Sequence, residues 1–340
     1  MRILVTGGAG FIGSAFVRTI MMDSPHHDIV VLDKLTYAGN LANLAPVSSR
    51  LTFIQGDICD PQIVADAMAG CDAVVHFAAE THVDRSLLDA QDFLTTNIYG
   101  TYTLLEAARK QKVQRFLQIS TDEVYGNALS PAGVSRPSVE SDPFLPLSPY
   151  AASKAGADNL AYSYWATYGL PVTITRCSNN YGPYQYPEKQ LPLFILNALE
   201  DRPLPIYGDG QHSRDWIYVQ DHIAALLCIL QHEDVNGAIF NIGATEERTT
   251  VQNACTILEL TQKPLSLLRY VPDRSGHVRR HAVNASKLQQ TLNWQPTVTF
   301  SEGIRQTICW YQEQLGWLEE IKARHNAFLH HALNLANSVS

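Results

Sequence analysis

Short, unbroken apolar runs alternate with longer amphipathic stretches through the first half of the chain. The runs fall at residues 3–5, 29–32, 51–54, 73–77, 116–119 and 172–175. Continuous rather than alternating apolar character marks strands covered on both faces. Between the runs, residues 12–22, 61–68, 93–110 and 150–168 carry helical patterning. The repeated strand–helix–strand order predicts an α/β fold with a doubly wound parallel sheet and right-handed crossovers. After Cys177 the texture changes to Pro-, Gly- and Tyr-rich loops at 179–187 and 203–210, which predicts a smaller, mixed α/β lobe.

Composition narrows the class. The 340 residues are 46% hydrophobic and 17% charged, enough apolar content for a substantial core, which excludes disorder as the main state. Lys plus Arg number 25 against 33 Asp plus Glu, a formal charge of -8, and no basic tract exceeds a pair. That argues against a nucleic acid partner. No run approaches the roughly 20 apolar residues of a membrane helix, and the N-terminus opens on a strand-like run rather than a signal peptide, so a cytoplasmic protein away from membranes is expected. Cysteines at 59, 71, 177, 228, 255 and 309 form no C-x-x-C pair. Buried reduced thiols are therefore expected, with neither a disulfide framework nor a metal site.

Candidate chemistry begins at Gly7, Gly10 and Gly13, just after the first run and at the start of the first helix. Glycines there let the backbone approach a pyrophosphate whose charge meets the helix N-terminal N–H groups. Asp33 ends the second strand 20 residues beyond Gly13, where a carboxylate can accept from both ribose hydroxyls and repel a 2'-phosphate. NAD is thus expected over NADP, with Lys34 placed to soften that repulsion. Asp57, after the third strand, falls where an adenine edge would lie; a solvated loop acid reads equally well.

Ser148-Pro149-Tyr150-Ala-Ala-Ser-Lys154 reads as a helix start with Ser148 as cap. Tyr150 and Lys154, at i and i+4, share one face, and the lysine and helix end are expected to lower the phenol pKa. An interfacial tyrosine beside a solvated lysine is the plain alternative. The fifth strand ends in Ser120-Thr121-Asp122-Glu123-Val124-Tyr125-Gly126, at the carboxyl edge where open sheets bind ligands. On a regular strand Asp122 and Glu123 point to opposite faces; if the chain turns, repulsion and burial make them an acid and a base. The alternative is a helix start whose acids cap the next turn.

The run Gly7-Gly8-Ala9-Gly10-Phe11-Ile12-Gly13, the Ser120–Gly126 segment and Tyr150-x-x-x-Lys154 together resemble the extended short-chain dehydrogenase/reductases. With residues 78–86, 178–184 and 207–210, the chain resembles the nucleoside-diphosphate-sugar 4,6-dehydratases over about residues 1–320. The resemblance implies an internal redox cycle with NAD. Tyr150, helped by Thr121, takes the C4 hydroxyl proton as hydride leaves C4. Glu123 removes the C5 proton, Asp122 protonates the departing C6 hydroxyl, and hydride returns to C6 as C5 regains a proton. Lys154 also holds the nicotinamide ribose.

By the same resemblance, cofactor contacts extend to Phe11, Ile12, Lys34, Leu35, Thr36, Asp57, Ile58, Phe77, Ala78, Ala79, Thr96 and Asn180. Substrate contacts fall on Thr81, Thr121, Asn179, Lys189, Pro205, Tyr207, Arg214, Thr250, Arg274 and His277. Guanidinium forks at Arg214 and Arg274 suit a diphosphate. The chain departs from the family at Thr250 (usually Asn), Val278 (usually Asp), His281 (usually Tyr) and Asn284 (usually Asp).

These readings divide the chain into a Rossmann domain (1–176 plus about 211–240), a nucleotide-sugar lobe (177–210 plus about 241–323) and a polar tail (324–340). Two other functions compete: a UDP-sugar 4-epimerase, which shares NAD, Tyr150 and Lys154 but has no use for the acid pair, and a non-catalytic NAD sensor, which has no need of Tyr150, Lys154, Thr121 or the acids. Leu104, Leu105, Leu160 and Tyr164 predict a free apolar face on two long helices. That face, with the resemblance, leads to the expectation of a homodimer joined by a four-helix interface.

Overall fold

The computed structural model describes residues 1–24, 26–128, 136–273 and 276–321; Arg274 and the polar tail lie outside them. Six strands open the chain: β1 (Arg2–Thr6), β2 (Asp28–Asp33), β3 (Thr52–Gln55), β4 (Ala73–His76), β5 (Arg115–Thr121) and β6 (Val172–Cys177). Shorter ones follow: β7 (Asn179–Tyr181), β8 (Leu204–Tyr207), β9 (Ser213–Tyr218), β10 (Ile239–Ile242), β11 (Glu247–Thr249), β12 (Leu268–Val271) and β13 (Arg280–His281). The large sheet has the order β10-β6-β5-β4-β1-β2-β3 and is parallel throughout. Strand order reverses between β1 and β4, which opens a crevice at the carboxyl edge of the sheet.

Both faces of that sheet are covered, which is why its strands read as unbroken apolar runs. On one face Phe16, Val17 and Ile20 of the helix Phe11–Asp23 meet Ile223, Leu226 and Ile229 of Val219–Gln231. On the other, Met68, Leu104, Leu105 and Ala161 pack against Leu4, Val30 and Val74. Each of the larger side chains among these, fully buried, contributes about 1.5–3 kcal/mol. The helix Pro149–Tyr168 forms as its sequence predicts: Ser148 Oγ accepts from Ala151 N–H, Pro149 occupies the first turn, and Gly169 ends it at φ 67°.

Three expectations are corrected. The sheet has a seventh strand, β10, which the pattern missed because it is four residues long and set between Gly237 and Gly243. Leu104, Leu105 and Tyr164 are buried inside the subunit and Leu160 is half-buried, so they form no free face. The large apolar side chains exposed on the stretches 93–110 and 150–168 are instead Leu94, Tyr99, Tyr102, Tyr162 and Tyr168. Of the cysteines, only Cys71 and Cys177 are buried; the other four are half-buried or exposed.

The remaining strands build a second body. β11, β9, β13 and β7 form one small sheet and β12 pairs with β8. Tyr181, Phe194, Trp216, Phe300 and Tyr311 centre its own core. Among the described residues, no helix is long and apolar enough to cross a membrane.

Candidate active site

Two cavities meet at the carboxyl edge of the large sheet. The first follows the sheet edge from Gly7 to Ser178, and the second runs between the sheet and the smaller body. Glu123, Asn179, Asn180, Gln185, Glu188 and Lys189 line both, so the two form one continuous cleft.

The first cavity begins where backbone approaches backbone. Gly7 sits at φ 70°, and a Cβ there would stand 2.5 Å from Ala78 N. Gly10, the N-cap of the helix Phe11–Asp23, offers no side chain to its first N–H groups, which leaves them open to an anion. Asp33 closes this end: its oxygens accept from Ala9 N–H at 2.9 Å and Leu35 N–H at 2.8 Å. Burial raises its pKa, and those two backbone bonds work the other way. Lys34 is bound to Asp57 at 2.7 Å, so its charge is already engaged there. Of the sequence-derived cofactor residues, all line this cavity except Leu35. Leu35 acts through its N–H on Asp33, at φ 56°, and packs its side chain against the core.

At the cavity's centre the chain turns directly after β5. Asp122–Tyr125 form a short 3-10 turn capped by Thr121, whose Oγ1 accepts from Glu123 N–H at 3.3 Å. Thr121 therefore does the capping, and both acids face the same cavity. Asp122 is buried, with Oδ2 unpartnered. Burial, then the Glu123 carboxylate, then Asp215 push its pKa well above the usual carboxylate value. A carboxyl so placed holds its proton and can donate it.

Tyr150 faces the same point beside Thr121, whose hydroxyl donates to Asp122 Oδ1 at 3.4 Å. The expected lowering of its pKa is overturned: burial, followed by Glu123, holds the phenol well above its ordinary value. Burial is the larger cause, and the lysine is turned elsewhere. Lys154 donates from Nζ to Ile119 O at 2.7 Å, and burial lowers its own pKa while Asp158, one turn on, opposes that. Asp158 is in turn paired with Arg176 at 3.0 Å, both buried.

The second cavity brings Asn179, Lys189, Pro205, Tyr207, Arg214, Thr250 and His277 together, and Thr81 joins from the first. Arg274 falls outside the described residues. Lys189 donates to Thr81 O at 2.9 Å. Arg214 faces the acid pair closely enough to act on Asp122. Val278 and His281 line this wall, whereas Asn284 caps its own turn by accepting from Ser286 N–H.

Several lining residues escaped the sequence reading, among them Gln185, Glu188, Gln190 and His212. His212 and His277 stack at 3.7 Å with ring planes 10° apart, and Asp273 reaches both. Parallel rings share no in-plane point, so as placed the two histidines wall the cleft rather than chelating an ion. Asn97 was also missed. It lies in a wide, π-type stretch, Leu94–Gly100, and clamps Glu80 by accepting from its N–H at 2.9 Å and donating to its carbonyl at 3.0 Å. A run of ordinary helical polarity around it carries no signal of that role.

A Rossmann sheet with a glycine-opened helix, a Tyr–Lys pair and a second body over the cleft defines a dinucleotide-dependent enzyme class acting on a ligand held between the two bodies. The chain belongs to the family described as GDP-mannose 4,6 dehydratase, whose model matches residues 4–307. It is 46% identical over 333 residues to a dTDP-glucose 4,6-dehydratase of Streptomyces niveus, covering 96% of this chain and 97% of that one. The structure of DesIV, a dTDP-glucose 4,6-dehydratase from Streptomyces venezuelae with NAD and TYD bound, superposes with TM-score 0.90 at 47% identity, covering 94% and 100%. A UDP-glucose 4-epimerase from Thermotoga maritima, with UDP-glucose, gives TM-score 0.86 at 30% identity, covering 93% and 100%.

Proposed function

We propose that this protein is an NAD-dependent hydro-lyase that converts dTDP-glucose, or a closely related nucleoside-diphosphate hexose, to the 4-keto-6-deoxy sugar and water. The observation that carries the reading is the acid pair. Asp122 and Glu123 turn into the cavity that holds Tyr150, and burial beside Glu123 favours the protonated form of Asp122 there. An epimerase has no use for a proton donor at C6 and a base at C5; an elimination needs both.

The residues fit NAD. Gly7, Gly10 and the open helix start take the pyrophosphate, Asp33 the adenosine ribose, and Lys154 and Asn180 the nicotinamide end. NAD supplies reversible hydride exchange with the sugar carbon. The protein's part is proton management. Tyr150, beside Thr121, would accept the C4 hydroxyl proton as its phenolate, a form that burial and Glu123 oppose and that the positive charge of a bound nicotinamide ring would favour. Glu123 takes the C5 proton once C4 is a ketone, Asp122 protonates the C6 hydroxyl as it leaves as water, and a proton returns to C5 as C6 is reduced. Arg214, with Arg274, pairs with the diphosphate. The division into a Rossmann domain and a nucleotide-sugar lobe belongs to this reading, with its boundaries corrected: β9 pairs in the smaller body's sheet, β10 in the large sheet, and Ala285, Leu288 and Trp294 pack into the large sheet's core.

Incubation with dTDP-glucose followed by mass spectrometry tests the function. The reading expects loss of one water with no added cofactor consumed; an unchanged mass or accumulation of reduced cofactor contradicts it.

The same reading places the enzyme in the cytoplasm as a homodimer. The partner surface is the exposed row of Leu94, Tyr99, Tyr102 and Tyr162, on the helices that the four-helix arrangement uses. Sedimentation should give twice the 37.7 kDa chain mass at micromolar concentration; the single chain mass refutes the dimer.

A further inference from the structure

One wall of the substrate cavity is backed by a directional relay of hydrogen bonds. Arg248 donates from Nε to Asn253 Oδ1 at 3.1 Å and from Nη2 to Thr256 Oγ1 at 2.6 Å. Asn253, fully buried, donates from Nδ2 to Gln190 Oε1 at 3.4 Å. Gln190 donates from Nε2 to Thr250 Oγ1 at 3.0 Å. A guanidinium has donors only, so the direction is set at its origin. Asn253 must turn its oxygen to Arg248 and its nitrogen to Gln190, and Gln190 must turn its nitrogen to Thr250. Flipping either amide sets two donors or two acceptors face to face.

Thr250 has little left to offer a ligand. Its hydroxyl accepts from Gln190 and directs its proton to His212 O at 3.5 Å, and its N–H is taken by the same carbonyl at 3.1 Å. Gln190 keeps a second N–H and a second lone pair, is half-buried, and lines the cavity. Thr250 stands where the family usually has Asn, so one carboxamide is missing from this wall; Gln190 brings one back from the neighbouring helix Gln190–Leu199.

We propose that Gln190, rather than Thr250, is the residue that reads the nucleobase, with its locked carboxamide matched to the imide edge of thymine or uracil. The amide N–H donates to a ring carbonyl while its oxygen accepts from the ring N3–H. A cytosine in the same pose sets the bare N3 lone pair against Oε1, and the relay prevents the amide from flipping to suit it. This proposal rests on the functional reading above, in which the Thr250 wall takes the nucleotide.

The test is steady-state kinetics of the full-length enzyme with dTDP-glucose and CDP-glucose, for wild type, Gln190→Met, Gln190→Glu and Thr250→Val. In Gln190→Met, KM for dTDP-glucose should rise about tenfold while kcat stays within about twofold, and the preference for dTDP over CDP should narrow about tenfold. Gln190→Glu, which keeps the shape but removes the donor, should lose at least as much. Thr250→Val, which leaves the Gln190 amide in place, should lose less than either. Wild-type KM and preference in both Gln190 variants overturn the proposal, as does a larger loss in Thr250→Val. So does a fall in kcat, NAD affinity and melting temperature together, which marks a structural role. Calorimetric titration with dTDP, expected to weaken about tenfold in Gln190→Met, reads base recognition even if wild type leaves dTDP-glucose unchanged. Such a result would remove the functional reading while leaving the proposal standing, and equal dTDP affinity in both proteins would remove the proposal.

Discussion

Along the sheet edge, the cleft wall is largely backbone and local in sequence: Gly7 to Gly13 make one strand-to-helix turn, and Asp33 pins it through Ala9 N–H. Across the cleft, the wall is side chain and long-range. Lys189 meets Thr81, Gln190 meets Thr250, and Arg214 faces Asp122. The first wall suits a ligand whose phosphates any such turn can hold. The second suits a ligand whose identity must be read, since exchanging one side chain there changes a contact without disturbing the fold. The acids and Tyr150 stand where the walls meet, so chemistry belongs to neither side alone.

The sharpest way to break this comparison is at the junction. Glu123→Gln should slow product formation by about 10²–10⁴ while C4 oxidation, seen as transient reduced-cofactor absorbance, persists. Tyr150→Phe should suppress that absorbance as well. Equal loss of both signals in the two variants would merge the roles that the geometry separates. Next comes the substrate wall: Arg214→Ala should cost about 2–4 kcal/mol in kcat/KM with NAD affinity nearly unchanged, because a charged partner of the diphosphate is lost. On the cofactor wall, Gly7→Ala should cost about 1–3 kcal/mol of stability, read from denaturant midpoints, and should weaken NAD binding. The cause is the left-handed backbone at Gly7 and the 2.5 Å approach of its Cβ to Ala78 N.

A smaller effect follows from Asp122. Its carboxyl titrates well above the usual value in the folded state, chiefly because it is buried. As pH rises past the unfolded value, the unfolded chain releases this proton while the native state keeps it. Stability is therefore intact below the unfolded pKa and is lost as pH climbs toward the folded one. Asp122→Asn should raise Tm near pH 8 and leave it unchanged near pH 3, while abolishing most turnover. Smallest of all is the choice between thymine and uracil. Their shared imide edge should keep the kcat/KM ratio of dTDP- to UDP-glucose below about a thousandfold.

The two walls also differ in how legible they were. The glycines, Asp33 and the Tyr150–Lys154 pair can be read from spacing because each acts within a few residues of a strand end or along one helix. β10 was hidden by its length, and Asn97 by lying in a stretch whose polarity looks like any helix. Gln190 could not be found locally: its meaning depends on Thr250 and Asn253, about 60 residues away, and its own neighbourhood reads only as a helix start. The Tyr150 pKa was misjudged because i,i+4 spacing fixes a shared face but not where the ammonium points, and Lys154 spends a donor on Ile119 O. Leu104 and Leu105 misled in the opposite sense, since the second helical layer covers a face that the sheet alone would have left open.

In the proposed reaction, oxidation at C4 and elimination across C5 and C6 occur in one cleft, and the hydride returns to the same sugar. Turnover of dTDP-glucose carrying deuterium at C4, followed by NMR of the product, tests that directly. Deuterium should reappear at C6 of the 4-keto-6-deoxy sugar, with no net change in the cofactor. Deuterium restored to C4 of an otherwise intact hexose, or trapped in released reduced cofactor, would contradict it.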